Sequence, residues 1–164
     1  MIKIKVLIAL VFASLILGCA GTKDMFGIAP EASGAFFINP VDMENKTVSV
    51  YVYRPKGYAY QPDVYINGVS KSLLAPGAYL HSAEKTEKIQ IVVQKNSNTG
   101  NWNFNPMGIS VNAKLGERRY FRISAGLSSA IILPIGGSLG YSGGIEEVPE
   151  SIALVEMKQT KSMK

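Results

Sequence analysis

Apolar and polar residues alternate in several short stretches of the chain. In "TVSVYVYRPKG" the residues Val48, Val50 and Val52 alternate with polar or aromatic residues, which is the period of a strand with one buried face. The same period recurs in "EKIQIVVQK" (87–95), with its apolar positions at Ile89, Ile91 and Val93. We therefore expect two strands with these apolar residues on the core side.

Turn signals between the alternating stretches predict how the strands connect. Asn67-Gly68 separates residues 63–66 from 69–73 and is typical of a type I′ hairpin turn, in which both central residues need a positive φ. Pro76-Gly77 predicts another turn, followed by a short strand around Tyr79 and Leu80. The turn "KLGE" is expected to join "ISVNA" (109–113) to "RRYFRISAG" (118–126) in a second hairpin.

The spacing of these elements predicts the fold class. About seven short strands, with turn signals roughly every ten residues and no helical period among them, favour an antiparallel β-sandwich over a βαβ arrangement. The chain of 164 residues has the length of one domain. We expect a mainly β protein whose sandwich domain covers 46–164.

An uncharged segment follows the last predicted strand. No charged residue occurs from Ile123 to Ile145, and Gly136, Gly140 and Gly144 are four residues apart. Such glycine spacing would suit a helix packed in a membrane, but Pro134 and the many glycines disfavour a helix. We expect the end of a β-edge and then a Gly-rich loop within 126–145. Insertion into a membrane, or oligomerisation, through 123–145 is the alternative.

The C-terminal sequence "EEVPESIALVEMKQTKSMK" predicts a short helix over about 148–161. Pro149 suits the first turn, Glu150 is an early acid, and Lys158 and Lys161 are late bases, as the helix dipole favours.

The N-terminal sequence has the pattern of a secretory signal. Lys3 and Lys5 precede thirteen uncharged residues, Val6 to Gly18. As a helix this run is only ~20 Å long, which is short of the ~30 Å hydrocarbon core. We therefore predict a signal peptide over 1–18 and a tether over 19–45. The apolar residues of this tether are expected to contact the domain or the bilayer; they are Phe26, Phe36, Phe37 and Ile38.

The end of this apolar run resembles the lipobox of bacterial lipoproteins. Its residues are Ile16-Leu17-Gly18-Cys19. The resemblance implies acylation of the Cys19 thiol and cleavage before it, and Ala20 implies sorting to the outer membrane, facing the periplasm. Acyl chains on one residue are sufficient to hold a protein at a membrane. The alternative is that Cys19 only ends the apolar run.

Composition and charge narrow the classes of function. A single cysteine allows neither an intramolecular disulfide nor a Cys-rich zinc site. The formal net charge is +5, and two of the basic residues would leave with the signal peptide. The remaining basic residues are scattered, so we expect no nucleic-acid partner.

Five sequence blocks resemble, in order, a family of small bacterial lipoproteins that is known only as a domain of unknown function. The blocks are "VSVYVYRPKG", "PDVYINGV", "PGAYL", "GERRYFRI" and "EEVPESIALVEMK", within about 46–160. The resemblance implies an immunoglobulin-like or transthyretin-like sandwich. It implies no reaction, cofactor or catalytic residue.

The clearest candidate surface is a tyrosine patch. Its residues are Tyr51, Tyr53, Arg54, Tyr58, Tyr60 and Tyr65. Tyrosine offers a rigid ring with a polar tip, so the patch could bind a glycan, a peptide or a protein. The alternative is that these tyrosines pack across a sheet face.

Charged candidates are few. His81, the sole histidine, is followed by Ser82 and Glu84 and is expected in a solvated loop, since residues of one loop rarely form a catalytic triad. Arg118, Arg119 and Arg122 could contact anionic headgroups, although a solvated strand face is favoured. We expect no metal, cofactor or enzymatic activity. The expected role is a lipid-anchored module that binds an envelope protein or glycan.

Overall fold

Apolar residues from two β-sheets meet in one core. The computed structural model describes residues 32–40, 45–57, 61–95, 105–133 and 136–163, and for 126–141 it describes the backbone only. Within these ranges the strands are β1 (Val48–Arg54), β2 (Asp63–Ile66), β3 (Val69–Leu73), β4 (Ala78–Glu84), β5 (Lys88–Gln94), β6 (Met107–Asn112), β7 (Arg118–Leu133), β8 (Gly136–Glu147) and β9 (Lys161–Ser162), and the helix is α1 (Glu150–Met157).

The strands form two sheets in a sandwich-like arrangement. Sheet I has the order β8-β7-β1-β4-β9, and sheet II has the order β3-β2-β5-β6. Most neighbours are antiparallel, but β1 pairs with β7, and β4 with β9, in parallel. The predicted mainly β sandwich with a C-terminal helix is therefore confirmed, with two strands more than the predicted seven and with two parallel pairs.

The core between the sheets contains the predicted alternating positions. Val48, Val50 and Val52 of β1 face it from sheet I and are fully buried. The residues facing them from sheet II include Ile89, Ile91 and Val93, also fully buried. Burying each such side chain contributes about 1.5–3 kcal/mol, so this alternation is the main local determinant of the sandwich.

The two predicted turns are confirmed. Asn67 and Gly68 have φ values of 51° and 78°, and β2 and β3 pair antiparallel on either side of them. Gly77 has a φ of 70°, and the Ala78 amide donates to the Ala75 carbonyl at 3.2 Å. The φ values at these glycines lie in a region that residues with a Cβ rarely adopt.

The predicted hairpin between 109–113 and 118–126 is wrong. β6 pairs with β5 in sheet II, whereas β7 pairs with β1 and β8 in sheet I. The connection carries the chain between sheets: the Ala113 amide donates to Glu87 at 2.7 Å, and the Gly116 amide donates to Thr47 at 2.8 Å. Each end of the turn is therefore held by a different sheet.

The predicted Gly-rich loop within 126–145 is also wrong, and so is its helical alternative. β7 continues to Leu133, and the chain returns as β8, in register from Phe121↔Glu147 to Leu133↔Gly136. A register shift between Leu127 and Ser129 interrupts the pairing. Glycine is unfavourable in an isolated strand, but here the β7 backbone supplies a partner on both sides of the register shift.

The C-terminal helix is shorter than the predicted 148–161. Pro149 occupies the N-cap position and Glu150 the first turn, but α1 ends at Met157. Lys158 is the C-cap residue, and Lys161 lies in β9, where its amide donates to the Gly77 carbonyl at 2.9 Å. Pairing with the free edge of β4 therefore replaces the last predicted helical turn.

Part of the predicted tether 19–45 packs on the domain. The Gly34 amide donates to Ser162 at 3.1 Å and the Phe37 amide to Thr160 at 3.0 Å, so this segment lies along β9. A Cβ on Gly34 would come within 1.9 Å of the Ser162 Oγ, and the close approach therefore requires glycine. Phe37 is buried, whereas Phe36 and Ile38 are exposed.

The signal peptide 1–18, Cys19, Phe26 and the rest of the tether up to residue 31 lie outside the described residues. Within the described ranges, no helix is both long enough and apolar enough to cross a membrane.

Candidate functional site

The part of the predicted tyrosine patch that lies on β1 does not form an exposed surface. Tyr51, Tyr53 and Arg54 are buried, with 6%, 0% and 2% of their surface exposed. Tyr65 is half-buried in β2, and Tyr58 and Tyr60 lie outside the described residues. The alternative of packing across a sheet face therefore describes Tyr51 and Tyr53.

Helix α1 and Phe37 cover these tyrosines on the outer face of sheet I. Tyr51 stacks on Tyr120 of β7, with ring centroids 5.1 Å apart. Phe37 meets Tyr51 edge-on at 5.9 Å. These rings form a second apolar cluster with Val148, Ala153 and Met157. β1 is thus covered on both faces, because valines alternate with tyrosines along it.

Two tyrosine hydroxyls in this cluster bind carboxylates of α1. The Tyr53 hydroxyl donates to Glu156, and the Tyr120 hydroxyl donates to Glu150 at 2.9 Å. Burial, and then the hydrogen bond to the carboxylate, raise the pKa of both tyrosines well above its usual range. Both side chains therefore remain neutral donors that attach the helix to the sheet.

The three arginines of β7 extend this attachment. Arg122 donates to Glu146 of β8 at 2.9 Å and to Glu156 of α1 at 2.5 Å. It shares the outer face with Tyr120, as predicted, while Phe121 is in the core. The hydrogen bond to Glu146 is the main cause that raises the pKa of Arg122.

The other two arginines are also paired. Arg119 binds Glu147 at 2.9 Å and Glu117 at 2.8 Å, and Arg118 lies 3.4 Å from Glu150. We refer to these arginines and carboxylates, with Tyr53 and Tyr120, as the charged base of the β7-β8 hairpin. Contact of these arginines with anionic headgroups stays a prediction. The neighbouring carboxylates offset the positive charge that such a contact would need.

Two clefts border the charged base and meet at Arg119. One, of about 600 Å³, is lined by residues of both signs, including Lys88, Lys114, Glu87 and Glu117. The other, of about 330 Å³, is lined by Arg118, Tyr120 and Glu150 among others. In the described part of the chain, no three His, Cys, Asp or Glu side chains are grouped as metal ligands would be. Three cations and two carboxylates line the first cleft, and two of each line the second, so neither cleft has a strong charge of one sign that would select a substrate.

His81 lies in β4, not in the predicted loop. Its ring stacks on Tyr51, with centroids 4.5 Å apart, and the partial burial lowers the pKa of His81. Ser82 donates instead to Glu84 at 2.6 Å. Because adjacent strand residues point to opposite faces, His81 and Ser82 are not brought together as nucleophile and base.

Beyond the charged base, β7 and β8 form a feature that the sequence analysis missed. The pairing of β1 with β7 ends at Tyr53↔Arg122, whereas β7 continues with β8 to Leu133. We call residues 124–133 and 136–144 the hairpin arm. At about 3.3 Å per residue, its ten β7 residues extend roughly 30 Å.

A signal for the arm was present in the sequence. Arg122 and Glu146 flank the uncharged segment at equal distances from Pro134, as opposite charges on the two strands of a hairpin should. The glycines hid this symmetry, since glycine is depleted in strands and typical of loops.

No protein-family model matches the chain, and neither a curated protein nor a solved structure is significantly similar to it. The resemblance to the family of small lipoproteins depends on the five sequence blocks and stays a prediction.

Proposed function

We propose that the protein is a lipid-anchored β-sandwich of the bacterial outer membrane, facing the periplasm, and that it acts as a non-enzymatic binding or envelope-assembly module. The lipobox-like residues Ile16 to Cys19, placed directly after a basic and then apolar N-terminus, support the anchor. The acyl chains provide the membrane contact. The partner is another envelope component, a protein or a glycan.

One observation supports a binding role over a catalytic role: the polar side chains of the charged base are bonded to one another. The arginines of β7 are engaged by carboxylates, and the hydroxyls of Tyr53 and Tyr120 are engaged by Glu156 and Glu150. The hydroxyl of Ser82, next to His81 in the sequence, donates to Glu84 instead of to the imidazole. A catalytic site needs groups that are free to react with a substrate, whereas these arginines and tyrosines hold α1 to β1 and β7, and β8 to β7.

The anchor is tested by replacing Cys19 with alanine in the full chain. We expect the parent protein in the membrane fraction at the size of the cleaved chain, and the variant in the soluble fraction or at its uncleaved size. Ser14→Ala, within the apolar run, is the matched control and should behave as the parent does. A Cys19→Ala protein that remains in the detergent-phase membrane fraction at mature size would contradict the anchor.

A second candidate function is that the hairpin arm inserts into a membrane or oligomerises. Two observations favour it: segment 123–145 contains no charged residue, and its residues 123–133 and 136–145 form paired strands. Charged groups would oppose transfer to a bilayer, and none is present in this segment. Carbonate extraction of the Cys19→Ala variant tests insertion, because full release of this variant into the soluble fraction would reject it.

A further inference from the structure

The open edge of β8 is the most unusual interaction surface of the described chain. β8 is the last strand of sheet I, and among the described residues its only strand neighbour is β7. Its twelve residues therefore present one row of backbone amides and carbonyls without a strand partner in these ranges. Such a row is a template for another strand.

The hydrogen-bond pattern identifies which residues form this row. The Val148 amide donates to the Tyr120 carbonyl at 2.8 Å. In an antiparallel pair the bonded positions alternate, so Glu146, Gly144 and Ser142 also face β7 with their backbone groups. The backbone groups of Ile145 and Gly143, between them, consequently point to the open edge.

The other sheet edges carry features that limit strand addition, whereas the arm does not. The β9 edge is covered by residues 34–37, and β3 is a five-residue strand that contains Lys71. The remaining edge strand, β6, has only six residues and directly follows Pro106. Natural edges are commonly blocked by charges, prolines or short length. Within the arm, neither strand contains a charged residue or a proline, and β8 is twelve residues long.

We propose that β8 pairs antiparallel with β8 of a second copy of this chain. The charges select this arrangement. Glu146 and Glu147 are at one end of the strand and Gly136 and Gly137 at the other. Parallel pairing would place the carboxylates of the two copies side by side, whereas antiparallel pairing places them opposite the uncharged glycines.

Two further properties make a second copy the suitable partner. An antiparallel pair of identical strands is isologous and closes with two subunits, which is the commonest symmetry of oligomers. The second copy also offers a strand of equal length with equally unblocked backbone groups. The inference deepens the second candidate function by naming the partner of the arm, and it does not depend on the anchor.

The symmetry predicts the geometry of the interface. In both copies the odd-numbered residues present their backbone groups to the open edge, so odd-numbered residues of one copy pair with odd-numbered residues of the other. One residue must then pair with its own counterpart, and the two-fold axis passes between these two equivalent residues. This residue faces its own counterpart with a Cα separation of about 4.5–5.5 Å, which is within the range of a disulfide. For full overlap of the strands, this residue is Tyr141 or Ser142.

A single-cysteine scan of the full chain in cells tests the interface. Each position from 139 to 145 is replaced in turn, and disulfide-linked dimer is measured on non-reducing gels. We expect one maximum near Ser142, with at least fivefold less dimer two residues away on either side. Lys85→Cys is the control and should give only background, because Lys85 is exposed and follows Glu84, which pairs with Val48 at the end of β1 that is far from the arm. Absence of dimer at every position, or equal yields throughout, would overturn the proposal.

The same scan separates failure of the anchor from failure of the interface. If Cys19 is acylated, its thiol is consumed and the parent chain forms no disulfide dimer. Dimer in the parent would contradict the anchor, and the scan would then be repeated with Cys19→Ser. In a further outcome, the cysteines of the arm form no dimer and also do not react with a membrane-impermeant maleimide. This result would overturn the interface and favour contact of the arm with the bilayer.

Backbone pairing is tested independently by sedimentation of the detergent-solubilised protein. Gly143→Pro removes an amide that points to the open edge, whereas Gly143→Ala keeps it. We expect the proline variant to dimerise at least tenfold more weakly than the alanine variant, with equal β-signals in circular dichroism. Equal dimerisation of the two variants would contradict the proposed pairing. The disulfide yield at position 142 in the Gly143→Pro background provides the readout if the proline variant unfolds.

Discussion

The two ends of the β7-β8 hairpin differ in nearly every respect. The charged base contains Arg118, Arg119 and Arg122 on β7, each facing carboxylates, and it lies against α1 and β1. The hairpin arm contains no charge and extends past the end of β1. The base is therefore held by its own chain, whereas the arm has the features of a surface that receives its partner from outside. If the proposed pairing of β8 is correct, one strand pair serves both stability and recognition.

The largest expected effect comes from removing the apolar contact beneath the base. Phe121 is fully buried in the core, opposite Glu147 in the register of β7 and β8. Phe121→Ala should lower the free energy of unfolding by about 3–5 kcal/mol, because it leaves a cavity. Urea denaturation measures this change. The control Phe121→Leu keeps most of the volume, so a loss as large as that of the alanine variant would contradict the packing argument.

A smaller loss is expected when the ion pairs of the base are broken. Arg122→Met leaves Glu146 and Glu156 without their cation, and should cost about 1–2 kcal/mol, since the group is only partly exposed. The double variant with Glu156→Gln should cost less than the sum of the single variants. Lys71→Met is the control, because it breaks a single ion pair with Glu84 and leaves that carboxylate its hydrogen bonds from Ser82 and Asn67. If this control cost as much, the base would have no special role.

The tyrosines of the base predict a loss of stability in alkali. The pKa of Tyr53 and Tyr120 is raised in the folded chain, so their contribution to stability is complete below pH 10, the ordinary tyrosine pKa, and falls as the pH rises above it. Thermal unfolding between pH 8 and pH 11.5 should show this decline. The Tyr53→Phe and Tyr120→Phe double variant should flatten the curve, and an unchanged slope would contradict the raised pKa values.

The smallest effect on stability is expected in the arm. Replacing residues 127–141 by Asn-Gly joins Gly126 directly to Ser142 through a two-residue hairpin turn. We expect the free energy of unfolding to change by about 0.5 kcal/mol or less, because the base keeps its contacts. The self-association proposed for β8 should be lost. A destabilisation comparable to that of Arg122→Met would show that the arm supports the sandwich.

The sequence predicted the features that depend on near neighbours. The alternation of Ile89, Ile91 and Val93 identified a buried strand face, and Asn67-Gly68 identified a hairpin, because each depends on residues only a few positions apart. The pairing of β7 could not be read in this way. Its neighbour β1 lies about seventy residues earlier in the chain, and no local pattern distinguishes it from the adjacent β6.

The candidate site was predicted less well because it also depends on contacts between residues that are far apart in the sequence. Tyr51 and Tyr53 stood out in the sequence because they cluster with other tyrosines, but their burial depends on α1, about a hundred residues later. The glycines of β8 suggested a loop, since a glycine strand is favoured only when a partner strand is already in place.

The sequence by itself determined the mainly β class, the valine face of β1 and the tight turns, because side-chain period and backbone preference act over a few residues. It also supplies the lipobox-like residues before Cys19, from which the anchor is proposed. Only the tertiary structure decided that the tyrosines are covered, that α1 gives way to β9, and that the uncharged segment is a strand pair with one open edge. These outcomes depend on contacts between distant residues, which form only when the whole chain is folded.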